Sequence, residues 1–261
     1  MKFAVQVPTT DSDHWLQALE QAPPGFAGYA LNCPYPLPDI PVATVKALRT
    51  WGEERGWTYF IHTPVGKIKL GSIDPIVRQT SLQEVKRAID LAAGLGARLI
   101  TVHSTPCNDH ERDSDPEMER LEREALSEIC AGAAHHGVTI ALENMPPGSI
   151  FPHRYSDFSG LLALLKEIAP LGITLDVGHA NLAQISLPDM VHRLSHRIRH
   201  IHIHDNDGSG DQHLPVGQGA VDWIGFMKAL AQIDYEGFLE LEFQGYEAQI
   251  ASKRYLEGLF R

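Results

Sequence analysis

The sequence predicts an α/β protein, a single-domain (β/α)8 barrel that takes up residues 1–261. Eight short apolar runs have the composition of strands buried on both faces of a parallel sheet. Segments with helical periodicity lie between these runs, and several runs end in a polar residue. A doubly wound open sheet would have the same alternation, but only a closed barrel brings the side chains at all the strand ends to one place. The barrel is therefore the predicted fold.

The predicted strands are short and rich in Val, Ile, Leu and aromatic residues. In chain order they read KFAVQV, FAGYAL, WTYFI, RLITV, VTIAL, GITL, RHIHI and FLEL. Such near-continuous apolar runs are typical of parallel strands that are covered on both sides.

The intervening helices are predicted from their first residues. Asp74 and Asp115 each precede a proline, which combines a capping side chain with a residue that fits the first helical position. Asp157 and Asp222 precede two further apolar-periodic segments. Glycines stand just before five of the strands, where we expect each to end the preceding helix in a left-handed cap. These glycines are Gly56, Gly96, Gly137, Gly172 and Gly237.

Composition excludes several classes of protein. Lys and Arg total 22 against 33 Asp and Glu, for a formal net charge of −11, so a surface that binds nucleic acid is not expected. Three cysteines without C-x-x-C spacing favour a reducing, cytoplasmic setting. Neither a leader nor a membrane-spanning segment is expected from the apolar stretches. Composition does not predict the oligomeric state.

Residues of metal-ligand type cluster where strands end. His62, His103, Glu143, Asp176 and Glu242 follow five of the predicted strands. The seventh strand, RHIHIHDND, places three histidines at alternate positions and therefore on one face. The segments LDVGH and DQHLPVGQG add a D-x-x-H and a D-x-H pair. The full set is His62, His103, Glu143, Asp176, His179, His202, Asp211, His213 and Glu242.

One buried histidine by itself is usually a polar filler of a barrel interior, but nine ionisable residues at one rim need compensation. Divalent cations supply it. Mixed nitrogen and oxygen ligands without thiolate suit Zn²⁺, Mn²⁺, Fe²⁺ or Co²⁺ and do not suit an all-oxygen Ca²⁺ site. The sequence thus predicts a zinc- or manganese-type centre.

The motifs HTP, VHS, ALEN, LDVGH, HIHIHDND, DQHLPVGQG and LELEF occur here in the order found in a known group. The whole chain resembles the xylose-isomerase-like TIM barrels, which include endonuclease IV and related sugar phosphate isomerases and epimerases. Similarity to endonuclease IV implies three metal sites. These would be His62, His103 and Glu143; Glu143 with Asp176, His202 and Glu242; and His179, Asp211 and His213. Similarity to ketose 3-epimerases implies one ion on Glu143, Asp176, His202 and Glu242, with the two glutamates exchanging the substrate proton.

Two departures from these relatives bear on the choice. The epimerases carry an arginine after the strand-seven histidine, whereas this chain has DNDGSG there. The endonuclease needs basic loops to hold DNA, and the loop after His62 offers only Lys67 and Lys69 in an acidic protein. Small-molecule chemistry is therefore favoured over action on nucleic acid.

The sequence favours an isomerase or epimerase of a small sugar, sugar phosphate or related polyol. Glu143 and Glu242 would move a proton on opposite faces of the substrate, and His179 would contact it. Arg154, in the loop after the fifth strand, is a candidate clamp for a carboxylate or phosphate. The alternatives are a multinuclear phosphodiesterase like endonuclease IV and a noncatalytic metal-binding protein. Nucleotide-binding motifs such as GxGxxG are absent from the sequence.

Overall fold

The computed structural model of the protein describes residues 1–106, 115–147 and 158–259. Within them, eight parallel strands close into a barrel in sequential order, with β1 paired to both β2 and β8. The strands are Lys2–Gln6 (β1), Gly28–Asn32 (β2), Thr58–His62 (β3), Leu99–Val102 (β4), Thr139–Glu143 (β5), Gly172–Asp176 (β6), Ile198–Ile203 (β7) and Phe238–Leu241 (β8). All eight predicted strands are confirmed, and the doubly wound alternative is wrong.

Helices follow the strands around the outside. In the described residues they are Trp15–Glu20 (α1), Val42–Arg55 (α2), Pro75–Leu95 (α3), Asp115–His135 (α4), Phe158–Glu167 (α5), Val177–Leu182 (α6), Leu187–Leu194 (α7), Trp223–Gln232 (α8) and Tyr246–Gly258 (α9). A short 3-10 turn, Ser12–His14, precedes α1. Two extra elements, α6 and α7, occupy the connection between β6 and β7.

The helix starts agree with the predicted caps wherever the cap is described. Asp74 accepts a hydrogen bond from Ile76 N at 2.8 Å, and Asp222 accepts one from Gly225 N at 2.9 Å. The α4 helix begins at Asp115, one residue before the predicted first helical position at Pro116. The side chain of Asp115 lies outside the described residues, as does Asp157. Capping satisfies backbone N–H groups that the helix itself cannot pair.

The predicted glycine caps are only partly correct. Gly56, Gly96 and Gly137 have φ angles of 67°, 76° and 67°, which is the left-handed conformation that ends α2, α3 and α4. Gly172 and Gly237 do not belong to the residues with positive φ, so that prediction is wrong for them. A Cβ on Gly172 would lie 2.5 Å from Arg199 Cγ, and one on Gly237 would lie 2.3 Å from the Tyr235 hydroxyl oxygen. At these two positions the absence of a side chain leaves space for Arg199 and Tyr235, respectively.

Two separate apolar layers stabilise the barrel. The larger lies between the strands and the outer helices and buries residues such as Trp15, Leu31, Ile100 and Phe226. The smaller fills the bottom of the barrel interior and consists of Ala4, Ala30, Phe60, Leu99 and Ala141, with Phe238 packed against it. Above this plug the interior becomes polar. Among the described helices none is both long and apolar enough to span a membrane.

Candidate metal centre

Six of the predicted ligand residues form one buried cluster at the carboxyl ends of the strands. They are His62, His103, Glu143, Asp176, His202 and Glu242, and each is at most 9% exposed. Parallel strands present their last residues at one end of a barrel, which explains why positions so far apart in sequence converge.

Glu143 lies at the centre of this cluster. Its Oε2 is 3.0 Å from His103 Nε2 and 3.6 Å from His62 Nε2, while its Oε1 is 3.2 Å from His202 Nδ1. Glu242 approaches the same His202 Nδ1 to 2.9 Å, and Asp176 Oδ2 lies 3.9 Å from it. Ligand atoms of Glu143, Asp176, His202 and Glu242 all lie within 4.8 Å of one another, as do those of His62, His103 and Glu143.

The cluster fits a divalent cation because its buried polar atoms are poorly satisfied without one. Among the described residues, His62 Nε2, Glu143 Oε2 and Asp176 Oδ2 are buried and make no hydrogen bond of normal geometry, in spite of the close approaches given above. The same holds for His103 Nε2 and Glu242 Oε2. Buried polar atoms are normally hydrogen-bonded, so this concentration of exceptions needs an explanation. A bound cation would coordinate these nitrogen and oxygen lone pairs together.

A second cluster lies beside the first. Its members are His179, His204, Asp211 and His213, whose ligand atoms also lie within 4.8 Å of one another. Asp211 Oδ2 is 3.3 Å from His179 Nε2 and 3.4 Å from His213 Nε2. His204 stacks on His213 with ring centroids 3.8 Å apart, and its Nε2 lies 3.1 Å from Asp176 Oδ1, so it lies between the two clusters.

Backbone carbonyls orient two imidazoles of the second cluster. His179 Nδ1 donates to Asn144 O at 2.8 Å, and His213 Nδ1 donates to Glu242 O at 2.6 Å. Both rings therefore direct Nε2 towards Asp211. A ligand histidine in a metal site typically has its other nitrogen fixed in this way.

Neighbouring charges raise the pKa values of several histidines in the two clusters and lower those of Glu143, Asp211 and Glu242. Burial by itself lowers the pKa of His202, but the negative charges of Glu242 and Glu143 outweigh it and raise that pKa well above its ordinary value. Burial also acts to lower the pKa of His179 and of His213, but nearby carboxylates outweigh it. Asp176 and Asp211 raise the pKa of His179 to about 10, and Asp211 and Glu242 raise that of His213 to about 9. Burial acts to raise the pKa of Glu143, yet His202 and the other imidazoles hold it well below its ordinary value.

His103, in the first cluster, has a lowered pKa instead. Burial dominates at His103 and lowers its pKa, although Glu143 acts in the opposite direction. In the metal-free protein, protons on His62, His179, His202 and His213, whose pKa values are raised, thus balance the carboxylates. Metal binding at such a site would displace those protons.

Asp205 and Asn206 hold the loop that carries Asp211 and His213. The fully buried Asp205 carboxylate accepts hydrogen bonds from Asn206 N, Val221 N, Gly217 N and the Trp223 indole N–H at 2.8–3.2 Å. Asn206 donates to Gly178 O at 2.9 Å and accepts from Asn181 Nδ2 at 2.7 Å. This fixes the loop to α6 and α8 and places Asp211 above His179.

Sequence analysis did not single out several residues of this region. His204 was recognised only as part of the alternating run, and Glu240, Gln6 and Asn144 were not identified. Gln6 Nε2 donates to Glu242 Oε1 at 3.3 Å, and Asn144 bonds both backbone groups of Asp176 at 2.8 and 2.9 Å. The run HIHIHDND and the polar residue that ends β1 are the signals that could have indicated them. Arg154 lies outside the described residues.

Two cavities open over the clusters. One, of about 170 Å³, is lined by residues of both clusters together with Val65, Met145 and Pro146. The other, of about 280 Å³, extends from Glu242 and His62 towards Gln6, Thr10 and Asn32. Together they provide space for a small molecule next to the candidate ligands.

The fold and this rim define the class to which the chain belongs. The profile of the xylose isomerase-like TIM barrel family matches residues 16–259, and the chain is a member of that family.

Two relatives and one solved structure are similar to the chain over most of its length. An uncharacterized protein of Methanocaldococcus jannaschii is 31% identical over 184 residues, which covers 70% of each chain. Fructoselysine 3-epimerase of Shigella flexneri is 26% identical over 211 residues, or 78% of this chain and 75% of the relative. A solved structure described as a D-tagatose 3-epimerase-like protein superposes with a TM-score of 0.88 at 26% identity, covering 100% of this chain and 97% of that one.

Proposed function

We propose that the protein is a divalent-metal-dependent epimerase or isomerase of a small sugar or related polyol. The observation that carries the proposal is the position of Glu143 and Glu242, whose carboxylates both reach His202 Nδ1, at 3.2 and 2.9 Å, beneath the cavities. The similarity to fructoselysine 3-epimerase and to the tagatose 3-epimerase-like structure supports the same activity.

Glu143, Asp176, His202 and Glu242 would hold the ion. When bound, a divalent cation polarises a substrate carbonyl and the adjacent hydroxyl, which makes the C–H between them easier to deprotonate. Zinc and manganese both suit this set of one imidazole and three carboxylates.

The glutamates would carry the proton. One carboxylate takes the proton from the carbon next to the carbonyl, and the other returns a proton to the opposite face, so that the configuration at that carbon inverts and the redox state does not change. Gln6 would orient Glu242 through its 3.3 Å hydrogen bond. His179, held by Asn144 O, would present Nε2 to substrate hydroxyls, and Arg154 is proposed as a further substrate contact.

Solvent exchange tests this proposal directly. We expect the metal-loaded protein to incorporate deuterium from D₂O at the carbon next to the carbonyl of a ketose, and Glu143→Gln or Glu242→Gln to abolish incorporation while the circular dichroism spectrum is kept. Substitution by Gln removes charge and proton transfer with little change in shape. Full exchange in both variants would remove the acid and base roles, and no exchange by the native protein with a broad ketose panel would refute the epimerase.

A second candidate function is favoured by the second cluster. His179, Asp211 and His213, with His204 beside them, form a ligand set that a one-ion epimerase does not need. A phosphodiesterase like endonuclease IV would use two or three ions there to activate water and stabilise the leaving oxygen. Two to three equivalents of Zn²⁺ per chain, together with metal-dependent cleavage of bis(p-nitrophenyl) phosphate, would favour this function over epimerisation.

A further inference from the structure

A buried carboxylate–imidazole pair lies one layer below the proposed metal centre, inside the barrel. His200 Nε2 donates to Glu240 Oε2 at 2.6 Å, and the two residues are 0% and 1% exposed. The apolar plug of the interior adjoins the pair, since the Phe60 ring lies 4.3 Å from the His200 ring. Polar groups buried this deeply are costly to desolvate, and apolar residues of similar volume often stabilise a core as well. The pair therefore calls for an explanation other than stability.

The strand register places the carboxylate directly beside a proposed ligand. Glu240 on β8 pairs with His202 on β7, so both side chains point to the same face. Glu240 Oε2 lies 3.9 Å from His202 Nε2, while His202 Nδ1, on the opposite side of the ring, faces Glu143 and Glu242. His202 thus has carboxylates on both sides, and His200 holds the lower one in place.

The tautomer of His202 decides whether this imidazole can bind a cation. A neutral imidazole carries one N–H, and the other nitrogen has the lone pair. Glu143 and Glu242 both attract a proton to Nδ1, which would block the lone pair that the metal needs. A negative charge on the Nε2 side attracts the proton there instead and leaves Nδ1 free.

We propose that Glu240, oriented by His200, is a positioning residue that keeps the proton of His202 on Nε2 and so presents Nδ1 to the metal. At 3.9 Å the carboxylate acts through its charge, and that charge is weakly screened in the barrel interior. His200 would set the distance by fixing Glu240 Oε2 at 2.6 Å. The inference rests on the proposed metal centre.

The test compares Zn²⁺ affinity in three proteins, measured by competition with a chelator. Glu240→Gln keeps the size of the side chain and removes its charge, and we expect it to weaken Zn²⁺ binding by about 10- to 100-fold. Thr101→Val is the matched control, because Thr101 is also buried in the barrel interior and hydrogen-bonded, to Thr174 at 2.8 Å, but carries no charge. Its Zn²⁺ affinity should stay within about 2-fold of the native value, in line with a contact outside the ligand environment.

Nitrogen-15 NMR of histidine side chains gives an independent readout. In the Zn²⁺-loaded native protein, His202 should show a protonated Nε2 and a metal-shifted Nδ1, and Glu240→Gln should broaden or lose this pattern. If Glu240→Gln does not fold, the double variant His200→Leu with Glu240→Met replaces the pair by apolar groups, and its Zn²⁺ affinity should also fall by at least about 10-fold.

The outcomes separate this inference from the metal centre itself. If the native protein binds no Zn²⁺, Mn²⁺ or Co²⁺, the proposed centre fails. If it binds Zn²⁺ and Glu240→Gln or the double variant binds it as tightly with an unchanged His202 signal, the centre stands and the positioning role is wrong. A lower melting temperature of the metal-free variant with unchanged affinity would likewise show that the pair serves stability alone.

Discussion

Replacement of Asp205 by Asn should strongly destabilise the protein, because both oxygens of this buried carboxylate accept hydrogen bonds. Oδ1 accepts from Asn206 N and Val221 N, and Oδ2 accepts from Gly217 N and the Trp223 indole N–H. An amide keeps the shape but turns one oxygen into a donor that faces two other donors. Two hydrogen bonds to a charged group are lost, at about 1.5–3 kcal/mol each, so we expect the free energy of unfolding to fall by about 3–6 kcal/mol.

Urea unfolding followed by far-UV circular dichroism measures this loss. Asp222→Asn is the matched control, since Asp222 lies in the same part of the chain, is exposed, and caps α8 through a single hydrogen bond to Gly225 N. Asn and Asp cap helices equally well, so the control should change the free energy of unfolding by less than about 0.5 kcal/mol. Equal effects of the two substitutions would show that the four hydrogen bonds of Asp205 do not hold the loop.

Two further predictions concern the packing and the charge of the second cluster. Gly178→Ala should destabilise the protein by at least about 1–3 kcal/mol, because the new Cβ would lie 2.0 Å from His204 Cε1. Gly132→Ala, on the exposed side of α4 with nothing within 4 Å, should instead be neutral or stabilising in the same thermal unfolding assay. The metal-free protein should lose stability as pH rises, since the pKa of His213 is raised from 6.5 to about 9 when the protein folds. A group whose pKa is raised by folding stabilises the protein fully at pH values below its pKa in the unfolded chain, and no longer does so at pH values above its pKa in the folded protein. The loss of stability therefore falls between pH 6.5 and 9. His213→Asn should flatten this dependence in urea unfolding, and an equally steep curve in that variant would assign it to other groups.

Local sequence was sufficient to predict the strands, the starts of α3, α4, α5 and α8, and the set of nine candidate ligands. A parallel strand buried on both faces has to be apolar along its length, so its limits are visible in composition, and the next residue necessarily lies at the barrel mouth. His62, Glu143 and Asp176 could be placed there for that reason. The confirmed caps at Asp74 and Asp222 depend on neighbours only two or three residues away. These features are local in the chain, and local patterns are what a sequence displays.

Contacts between distant strands were decided only by the tertiary structure. Closure of the barrel brings β1 against β8, which joins Gln6 to Glu242 across 236 positions of the chain. The same packing places His204 between the two clusters and sets Glu240 beside His202. Gly172 resembles a helix cap by position, yet its close neighbour is Arg199 on β7, which no local rule identifies. A side chain's partner depends on register and on barrel closure, and both are properties of the whole folded chain.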